Sequence, residues 1–454
     1  MNTMTIKKGL SICIPGAAER RVLDMHLSGC YAVKPTDFIG INPRLLVAEG
    51  DTVLAGTPLF EDKSNAASRF PSPVSGTVKA IVRGAKRALQ AVVVEADSEQ
   101  QYITFPTDGQ TPEAIRNTLI ESGLWTLIRQ RPFGIVPNAD SKPKAVFISA
   151  FDSSPLPVDI PFILTGREKA FQTGIDVLHT LAGTVHLTLH GGGDNGFLEG
   201  VSNATIHHFK GPHPAGLVGT QIAKIDPINK GETVWTLDAQ DVATIGELFT
   251  TGRYNAQRTV ALCGPVVEEP QYYRTLTGTA LADIAKQARF ATLRKPLSQL
   301  RFICGDVLSG VTVAPDGFVS TSCNKVSVLP EGDYYDFMGW LRPNFKKFSF
   351  SRTFLSGVLS KFRIHNSKFT FDTGRHGSVR PLFVTGEFEK LVPLDIYPMQ
   401  LIKACIVGDI ELMEELGIYE VEPEDLALCE FADTSKTEIQ AIVREGLEKI
   451  RKES

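Results

Sequence analysis

The N-terminal part of the chain alternates apolar and polar residues in short runs that turn residues interrupt. These breaks are Glu49-Gly50-Asp51, Ala55-Gly56-Thr57-Pro58, Ser75-Gly76 and Arg83-Gly84. Alternation with a period of two is typical of half-buried β-strands, and clusters of Gly, Pro and Asp end them. We therefore predict that residues 1–105 form a β-rich domain.

Two stretches of this region predict a particular pair of hairpins. Residues 46–60 carry Glu-Gly-Asp and a second glycine, and residues 72–81 carry a Pro-x-x-Gly-x-Val strand. Glycine allows the positive φ angles that tight turns demand. The arrangement is typical of biotinyl and lipoyl domains, so we expect a barrel-sandwich fold here.

The pattern changes to α/β between residues 106 and 257, where we predict a small Rossmann-like domain with an open sheet. Short, continuous apolar runs are typical of buried strands, and Ile115, Leu119 and Leu124 share one helical face. The predicted elements are helices over 112–125 and 168–182, strands over 145–148 and 185–189, and a strand-rich stretch from 220 onward.

A strand, a helix and a strand follow within residues 258–332, which suits a β-grasp module, although other small α+β folds would also fit. Residues 333–454 end in helices, which we predict over 395–407, 410–415 and 436–452. The fold class is therefore an α+β multidomain protein: a biotinyl/lipoyl-like domain, an α/β domain, a β-grasp module and a C-terminal helical region.

Composition narrows the class of protein. Hydrophobic residues make up 43% and charged residues 22%, which excludes wholesale disorder. A net charge of -4 and a pI near 6.2 argue against a general nucleic-acid binder. No apolar stretch approaches the ~18 residues of a membrane span, and the chain does not begin with a signal sequence. We expect a cytosolic protein, or one held at a membrane by a partner.

The metal-binding residue types do not form a recognisable site. None of the seven cysteines lies in a C-x-x-C pair, so we expect reduced thiols and neither an iron–sulfur cluster nor structural zinc. Six of the nine histidines fall within 35 residues. His207, His208 and His213 could bind a metal, but without an H-x-x-x-H spacing a rigid loop with surface histidines is favoured.

Two further motifs have a functional and a structural interpretation. The glycines at 191–193 follow a predicted strand, where phosphate-binding turns occur, but a structural turn is favoured. Lys63 occupies the place of a lipoyl lysine, but an unmodified surface lysine is favoured. The sequence has no G-x-S-x-G, Walker loop or Cys-His pair at catalytic spacing. We therefore predict no catalytic, cofactor-binding or metal-binding residue in this chain.

A basic and aromatic segment covers residues 340–371. Residues 341–380 hold nine Lys/Arg and one acid, together with seven phenylalanines. Such a segment could bind single-stranded nucleic acid, an anionic membrane surface or a partner protein, or its phenylalanines could form a local core. We expect some phenylalanines to be core and the rest to dock a partner. The candidate docking residues are Trp340, Phe345, Lys346, Lys347, Phe348, Phe350 and Arg352.

The order of these modules, and several motifs, resemble the A subunit of the bacterial sodium-translocating NADH:quinone reductase over essentially the whole chain. The motifs are Lys7-Lys8-Gly9-Leu10, Pro15-Gly16, Val47-Ala48-Glu49-Gly50-Asp51, Leu59-Phe60-Glu61-Asp62-Lys63, Pro73-Val74-Ser75-Gly76-Thr77-Val78, Gly211-Pro212-His213-Pro214-Ala215-Gly216, Pro393-Leu394-Asp395-Ile396 and Glu424-Asp425-Leu426-Ala427-Leu428-Cys429.

The layout is also similar to the flavin-binding subunit of respiratory complex I and to the C subunit of the Rnf complex, with two departures. Those relatives have a Gly-rich flavin-phosphate loop, where this chain has bulky residues over 124–134. They also bind iron–sulfur clusters through cysteines, where Cys405 and Cys429 stand alone. The resemblance therefore implies a subunit that has kept the scaffold without the redox cofactors.

The resemblance further implies a peripheral subunit on the cytoplasmic face of the bacterial inner membrane. Its complex oxidises NADH, reduces ubiquinone or menaquinone, and exports Na+, using flavins and iron–sulfur centres in partner subunits. This chain would act near quinone reduction, dock on a membrane-embedded quinone-reductase subunit, and be inactive alone. Phe133 and His213 are expected near the quinone. The alternatives are a soluble lipoyl-type carrier and a purely structural scaffold subunit.

Overall fold

The computed structural model describes residues 3–25, 29–109, 111–290, 299–334, 337–338, 348, 350, 371–375 and 377–453. The N-terminal part of the chain is built from strands. They are β1 (Thr3–Thr5), β2 (Val22–Asp24), β3 (Cys30–Val33), β4 (Pro43–Leu45), β5 (Thr52–Val53), β6 (Pro58–Asp62), β7 (Arg69–Pro71), β8 (Gly76–Arg83) and β9 (Leu89–Ala96).

Seven of these strands form two small sheets around a shared core. The sheet orders are β3-β9-β8-β5 and β4-β6-β7. Apolar side chains from both sheets pack together, and the rings of Phe60 and Phe70 stack with centroids 4.6 Å apart. The predicted β-rich character of this region is confirmed.

The second part of the chain mixes helices and strands. Its elements are α1 (Pro112–Glu121), β10 (Arg129–Arg131), β11 (Val146–Ser149), α2 (Ile160–Ile163), α3 (Glu168–Ala182), β12 (Val185–His190), β13 (Thr205–Lys210), α4 (Val218–Ile225), β14 (Val234–Asp238) and α5 (Ala239–Thr251).

These strands form a sheet in the order β1-β13-β12-β11-β14-β10, parallel except for β10. The N-terminal strand β1 therefore lies at the edge of a sheet whose other members begin more than a hundred residues later. Helices α3 and α5 pack so closely that Gly174 and Gly246 have no room for a Cβ. A side chain at Gly246 would meet the carbonyl oxygen of Ala170.

A third sheet is built mainly from the elements that follow. They are β15 (Gln257–Cys263), β16 (Gln271–Leu276), α6 (Leu281–Gln287), β17 (Leu300–Cys304), β18 (Val311–Val313) and β19 (Lys325–Pro330). The sheet has the order β18-β17-β19-β15-β16-β2, with β15 parallel to β19 at its centre. The strand β2 from the N-terminal region completes one edge by pairing with β16.

The C-terminal part is helical, as predicted, and has its own hydrophobic core. Residues such as Leu401, Met413 and Leu447 are fully buried there. Its helices are α7 (Pro398–Val407), α8 (Ile410–Glu415), α9 (Ala427–Ala432) and α10 (Ile439–Glu453).

Two sequence predictions were wrong. The strand-rich stretch expected from residue 220 begins with helix α4, whose Ile222 packs into the core with Phe147 and Val234. The cysteines are not all reduced, because Cys304 and Cys323 form a disulfide bond. Cys304 ends β17 and Cys323 lies two residues before β19, the antiparallel neighbour of β17, and the Cα atoms of the two cysteines are 6.0 Å apart.

Candidate functional site

A buried cluster of charges joins the α/β sheet to the C-terminal helices. Arg131 ends β10, and its guanidinium donates to Asp425 at 2.9 Å and to Glu424 at 2.5 Å. The side chains of Arg131 and Asp425 are 4% and 1% exposed. Asp425 lies in a 3-10 turn, Pro423–Leu426, where its side chain also accepts a hydrogen bond from the Glu422 backbone.

The electrostatics of this cluster follow from burial. Burial raises the pKa of Asp425, and the attraction of Arg131 opposes that rise. Burial also raises the pKa of Glu422, against the attraction of Arg131 and Arg444. For Arg131 the carboxylates outweigh the cost of burial, so its pKa rises and it stays charged. The buried ion pairs therefore form only when the α/β part and the C-terminal part of the chain are folded against each other.

Phe133 belongs to the same junction. It has a φ of 86°, which is uncommon for a residue other than glycine. Its carbonyl accepts a hydrogen bond from Arg444 at 2.8 Å, and its ring meets Tyr419 edge-on with centroids 6.3 Å apart. The turn that follows β10 is thus fixed by side chains of the C-terminal helices.

A second buried junction surrounds Lys325, the first residue of β19. Its ammonium lies 3.0 Å from Asp152 and donates to the carbonyls of Pro155 and Leu156. It also donates to Ser154. Burial alone would raise the pKa of Asp152, but Lys325 and the neighbouring hydrogen bonds lower it overall. A loop of the α/β part therefore encloses the cation of the third sheet.

His213 lies beside this junction and is 3% exposed. Its Nδ1 is 3.3 Å from the hydroxyl of Ser153, which accepts a hydrogen bond from the Gly216 backbone. Burial lowers the pKa of His213, with Lys325 acting in the same direction and Asp306 and Asp152 opposing. The histidine is therefore neutral near pH 7.

Several of the motifs described above contact one another. Leu10 donates its backbone N–H to the carbonyl of His213 at 2.8 Å, and Gly9 leaves no room for a Cβ against that carbonyl. The backbone of Gly9 also donates to Lys390, three residues before Pro393. Within the described residues, no hydrogen bond or ring contact links Phe133 with His213 directly.

The remaining histidines do not assemble into a metal site. His207 lies 3.0 Å from His186, whereas His208 is 3.0 Å from Glu199. In the part of the chain that the structure describes, no three His, Cys, Asp or Glu residues could hold a metal ion together. The three histidines considered as ligands therefore have separate partners.

The glycine turn at 191–193 and the stretch after α1 both differ from a phosphate-binding loop that opens an α-helix. The glycine turn at 191–193 is followed by a 3-10 helix, Gly196–Gly200, rather than by an α-helix. In the stretch after α1, Trp125 is completely buried, donates to the carbonyl of Pro137 and meets Trp235 edge-on. No local pattern of residues indicates this tryptophan pair, because its members lie 110 positions apart.

The predicted docking segment is described only in part. Phe348 packs near the rings of Phe371 and Phe431, and Phe350 is partly buried against the C-terminal core. The other candidate docking residues lie outside the described residues: Trp340, Phe345, Lys346, Lys347 and Arg352. No helix among the described residues has the length and apolar character that a membrane crossing requires.

Three family domains match the chain in order. Residues 4–97 match the NqrA N-terminal barrel-sandwich hybrid domain, 110–254 the NqrA second alpha/beta domain, and 259–314 the NQRA C-terminal domain. The A subunit of the Na(+)-translocating NADH-quinone reductase from Actinobacillus succinogenes is 39% identical over 99% of this chain and 100% of its own length. The protein of the same name from Pseudomonas aeruginosa is 38% identical over 99% of each chain.

The chain belongs to the NqrA family. This confirms the resemblance read from the motifs, and it confirms a barrel-sandwich domain at the N-terminus. The lipoyl-like and β-grasp assignments and the domain boundaries at 105, 257 and 332 stay predictions. A crystal structure of NAD+-reducing [NiFe]-hydrogenase in the H2-reduced state covers 76% of this chain and 61% of its own at 14% identity, but its TM-score of 0.38 does not establish a common fold.

No sequence pattern pairs the charged residues of the two buried junctions. Arg131 and Asp425 lie 294 positions apart, and Lys325 and Asp152 lie 173 positions apart. The one available sign was a lone cation at the end of an apolar strand, as in Lys325-Val326-Ser327-Val328. Such a cation predicts a buried partner but does not identify it.

Proposed function

We propose that this chain acts as the A subunit of a complex that oxidises NADH, reduces ubiquinone or menaquinone and transports Na+ outward. In this proposal the chain lies on the cytoplasmic face of the membrane and binds no flavin or iron–sulfur centre itself. Its membership in the NqrA family and the printed names of its relatives support the proposal.

One observation carries the docking part of the proposal. Residues 377–386 form an extended strap that exposes Val379, Phe383 and Val384 by 67%, 56% and 60%. The strap is held to the loop between α9 and α10, because the Arg380 N–H donates to the Ser435 carbonyl and the Ser435 hydroxyl donates to the Pro381 carbonyl. A fixed, exposed apolar segment is typical of a surface that a partner covers.

The strap also continues the basic and aromatic segment in sequence. Residues 340–371 bring tryptophan, phenylalanine and arginine, residue types that are enriched in interface cores. We therefore infer that the segment, with Trp340, Lys346 and Lys347, and the strap dock together on a membrane-embedded partner in the complex.

The absence of redox cofactors from this chain is supported by the residues present. Trp125 and Trp235 fill the place that follows α1, where a flavin phosphate would need free backbone N–H groups. Phe133 and His213 are proposed to lie near the quinone. The partly buried ring of Phe133 offers an apolar surface, and neutral His213 could donate or accept a hydrogen bond.

The proposal is tested by purifying the tagged chain from membranes of its host in mild detergent. We expect membrane-spanning partners and a flavin absorption spectrum in the purified complex, while the chain expressed alone is colourless. Recovery of the chain alone from the soluble fraction would contradict the proposal. Photolabelling with a quinone probe then tests the site, since a pure scaffold would carry no label near Phe133 or His213.

The docking surface is tested separately with F383S/V384S, which removes exposed apolar surface without touching the buried core. The matched control is V311S, because Val311 is 67% exposed on β18, in another part of the chain. We expect the double variant to lose most of its co-purifying subunits and the control to keep them. Equal recovery of partners with both variants would rule out docking through the strap.

A further inference from the structure

The N-terminal barrel-sandwich domain carries a groove that plays no part in the proposed function. Its volume is about 670 Å³, within the usual range for small-molecule sites. Four cations line it, and no carboxylate does. The cations are Arg44, Lys63, Arg83 and Arg87.

Three of the four cations lack a counter-charge. Arg44 forms an ion pair with Glu61. Lys63, Arg83 and Arg87 are exposed, and no carboxylate in the described ranges lies within ion-pair distance of them. Arg83 and Arg87 flank the turn between β8 and β9, and the Arg83 guanidinium donates to the Arg87 carbonyl at 3.1 Å. Three positive charges at one groove repel one another, and a bound anion would offset that repulsion.

Apolar side chains also line the groove. They are Phe38, Ile41, Leu45 and Leu89, and Phe38 and Leu89 are each 8% exposed. A ligand that contacts both the cations and the apolar lining residues must therefore carry a negative charge and an apolar part.

The segments of this chain outside the described residues are poor candidates for supplying the negative charge. Their side chains include a single acid, Asp336, whereas residues 341–370 contain seven Lys/Arg and no acid. Those segments would add positive charge to the groove rather than neutralise it. The occupant is therefore sought in another molecule.

We propose that this groove binds the headgroups of acidic phospholipids at a membrane surface. The combination of unpaired cations and apolar lining residues suits an anionic amphiphile better than an acidic peptide, whose carboxylates cannot cover the apolar lining. Each basic residue near an anionic surface raises the binding constant about fivefold. The groove cations would thus hold the N-terminal domain against the lipid.

The test measures partition of the full chain onto vesicles of phosphatidylcholine, with and without phosphatidylglycerol. We expect binding only to the anionic vesicles, weakening as salt screens the charges. The variant K63Q/R83Q/R87Q should lower the partition constant about 100-fold. Its matched control, K169Q/K403Q/K452Q, loses the same three charges at exposed positions outside the groove and should bind like the wild type.

Four results would overturn the proposal. Equal binding to neutral and anionic vesicles would show that charge does not contribute to binding. Equal losses in the groove variant and in its control would show a nonspecific effect of net charge. Competition by inorganic phosphate, or tighter capture of poly-glutamate than of vesicles, would assign the groove to a free anion or to an acidic protein segment instead.

Discussion

Arg131 and Asp425 form a buried ion pair although 294 residues separate them in sequence. The arginine ends a strand of the α/β sheet, and the aspartate lies in a turn between C-terminal helices. Because neither charge has water to solvate it, the two parts of the chain stabilise each other. The C-terminal helices are thus tied to the α/β sheet by charge as well as by packing.

We predict that R131M lowers the free energy of unfolding by about 3–5 kcal/mol, because it leaves the carboxylate of Asp425 buried without its counter-charge. Urea denaturation of the isolated chain measures the loss. The control is K230M, which breaks the ion pair of Lys230 with Glu414 between the same parts of the chain. Lys230 is 70% exposed, so we expect less than about 1 kcal/mol there. Comparable losses in both variants would contradict the importance of burial.

A second prediction concerns pH. The pKa of His213 is lowered by burial, so unfolding takes up a proton at any pH between its folded pKa and the value near 6.5 of a free histidine. Stability should therefore fall as the pH drops below about 6.5, by up to about 1.4 kcal/mol per pH unit from this residue. H213Q should reduce that slope.

The control for this experiment is H179Q, since His179 is exposed on α3. We expect its slope to match that of the wild type in urea denaturation between pH 5 and 7. A slope that H213Q leaves unchanged would show that His213 is not the group that takes up the proton.

A third prediction tests the close contact of α3 with α5. G246A places a methyl group against the carbonyl of Ala170, and the helices must separate to accept it. Overpacking of this kind costs about 1–3 kcal/mol, which exceeds the intrinsic helical preference of alanine over glycine. Thermal unfolding measures this loss of stability. G200A serves as the control, because no atom lies within 4 Å of its added Cβ. Equal melting temperatures for G246A and the wild type would contradict the close contact of α3 with α5.

A fourth prediction concerns the basic segment. K346E/K347E reverses two charges that we propose to face a partner, and it should lower the yield of co-purified subunits several-fold at low salt. K169E/K452E makes the same change in net charge elsewhere. If both variants recover the same partners as the wild type, those lysines do not contribute to assembly.

Most elements that rest on local patterns could be predicted from the sequence. Helix α3 was expected over residues 168–182 and α8 over 410–415, and both have those bounds. The helix expected over 112–125 ends at Glu121, because Gly123 adopts a φ of 78° and the chain continues as a 3-10 turn. Periodicity thus located the helices well and their ends less well.

What could not be predicted depends on contacts between distant residues. Helix α4 contains β-branched residues such as Val218, Thr220 and Ile222, which favour a strand locally, but its apolar face packs on the sheet. The same holds for the ion pairs of Arg131 and Lys325, since a single charged residue does not reveal its partner. For the candidate site, the sequence analysis predicts Phe133 and His213 near the quinone but does not predict their buried neighbours.

The pairing of β1 with β13 sets an order of events during synthesis. The ribosome makes Thr3–Thr5 first, yet their partners on β13, His208, Phe209 and Lys210, appear about 200 residues later. At roughly 5–20 residues per second, the N-terminal strand waits some 10–40 s before its hydrogen bonds can form. The barrel-sandwich sheets, whose strands all lie within residues 30–96, can close in the meantime, so the first strand to be made is among the last to be paired.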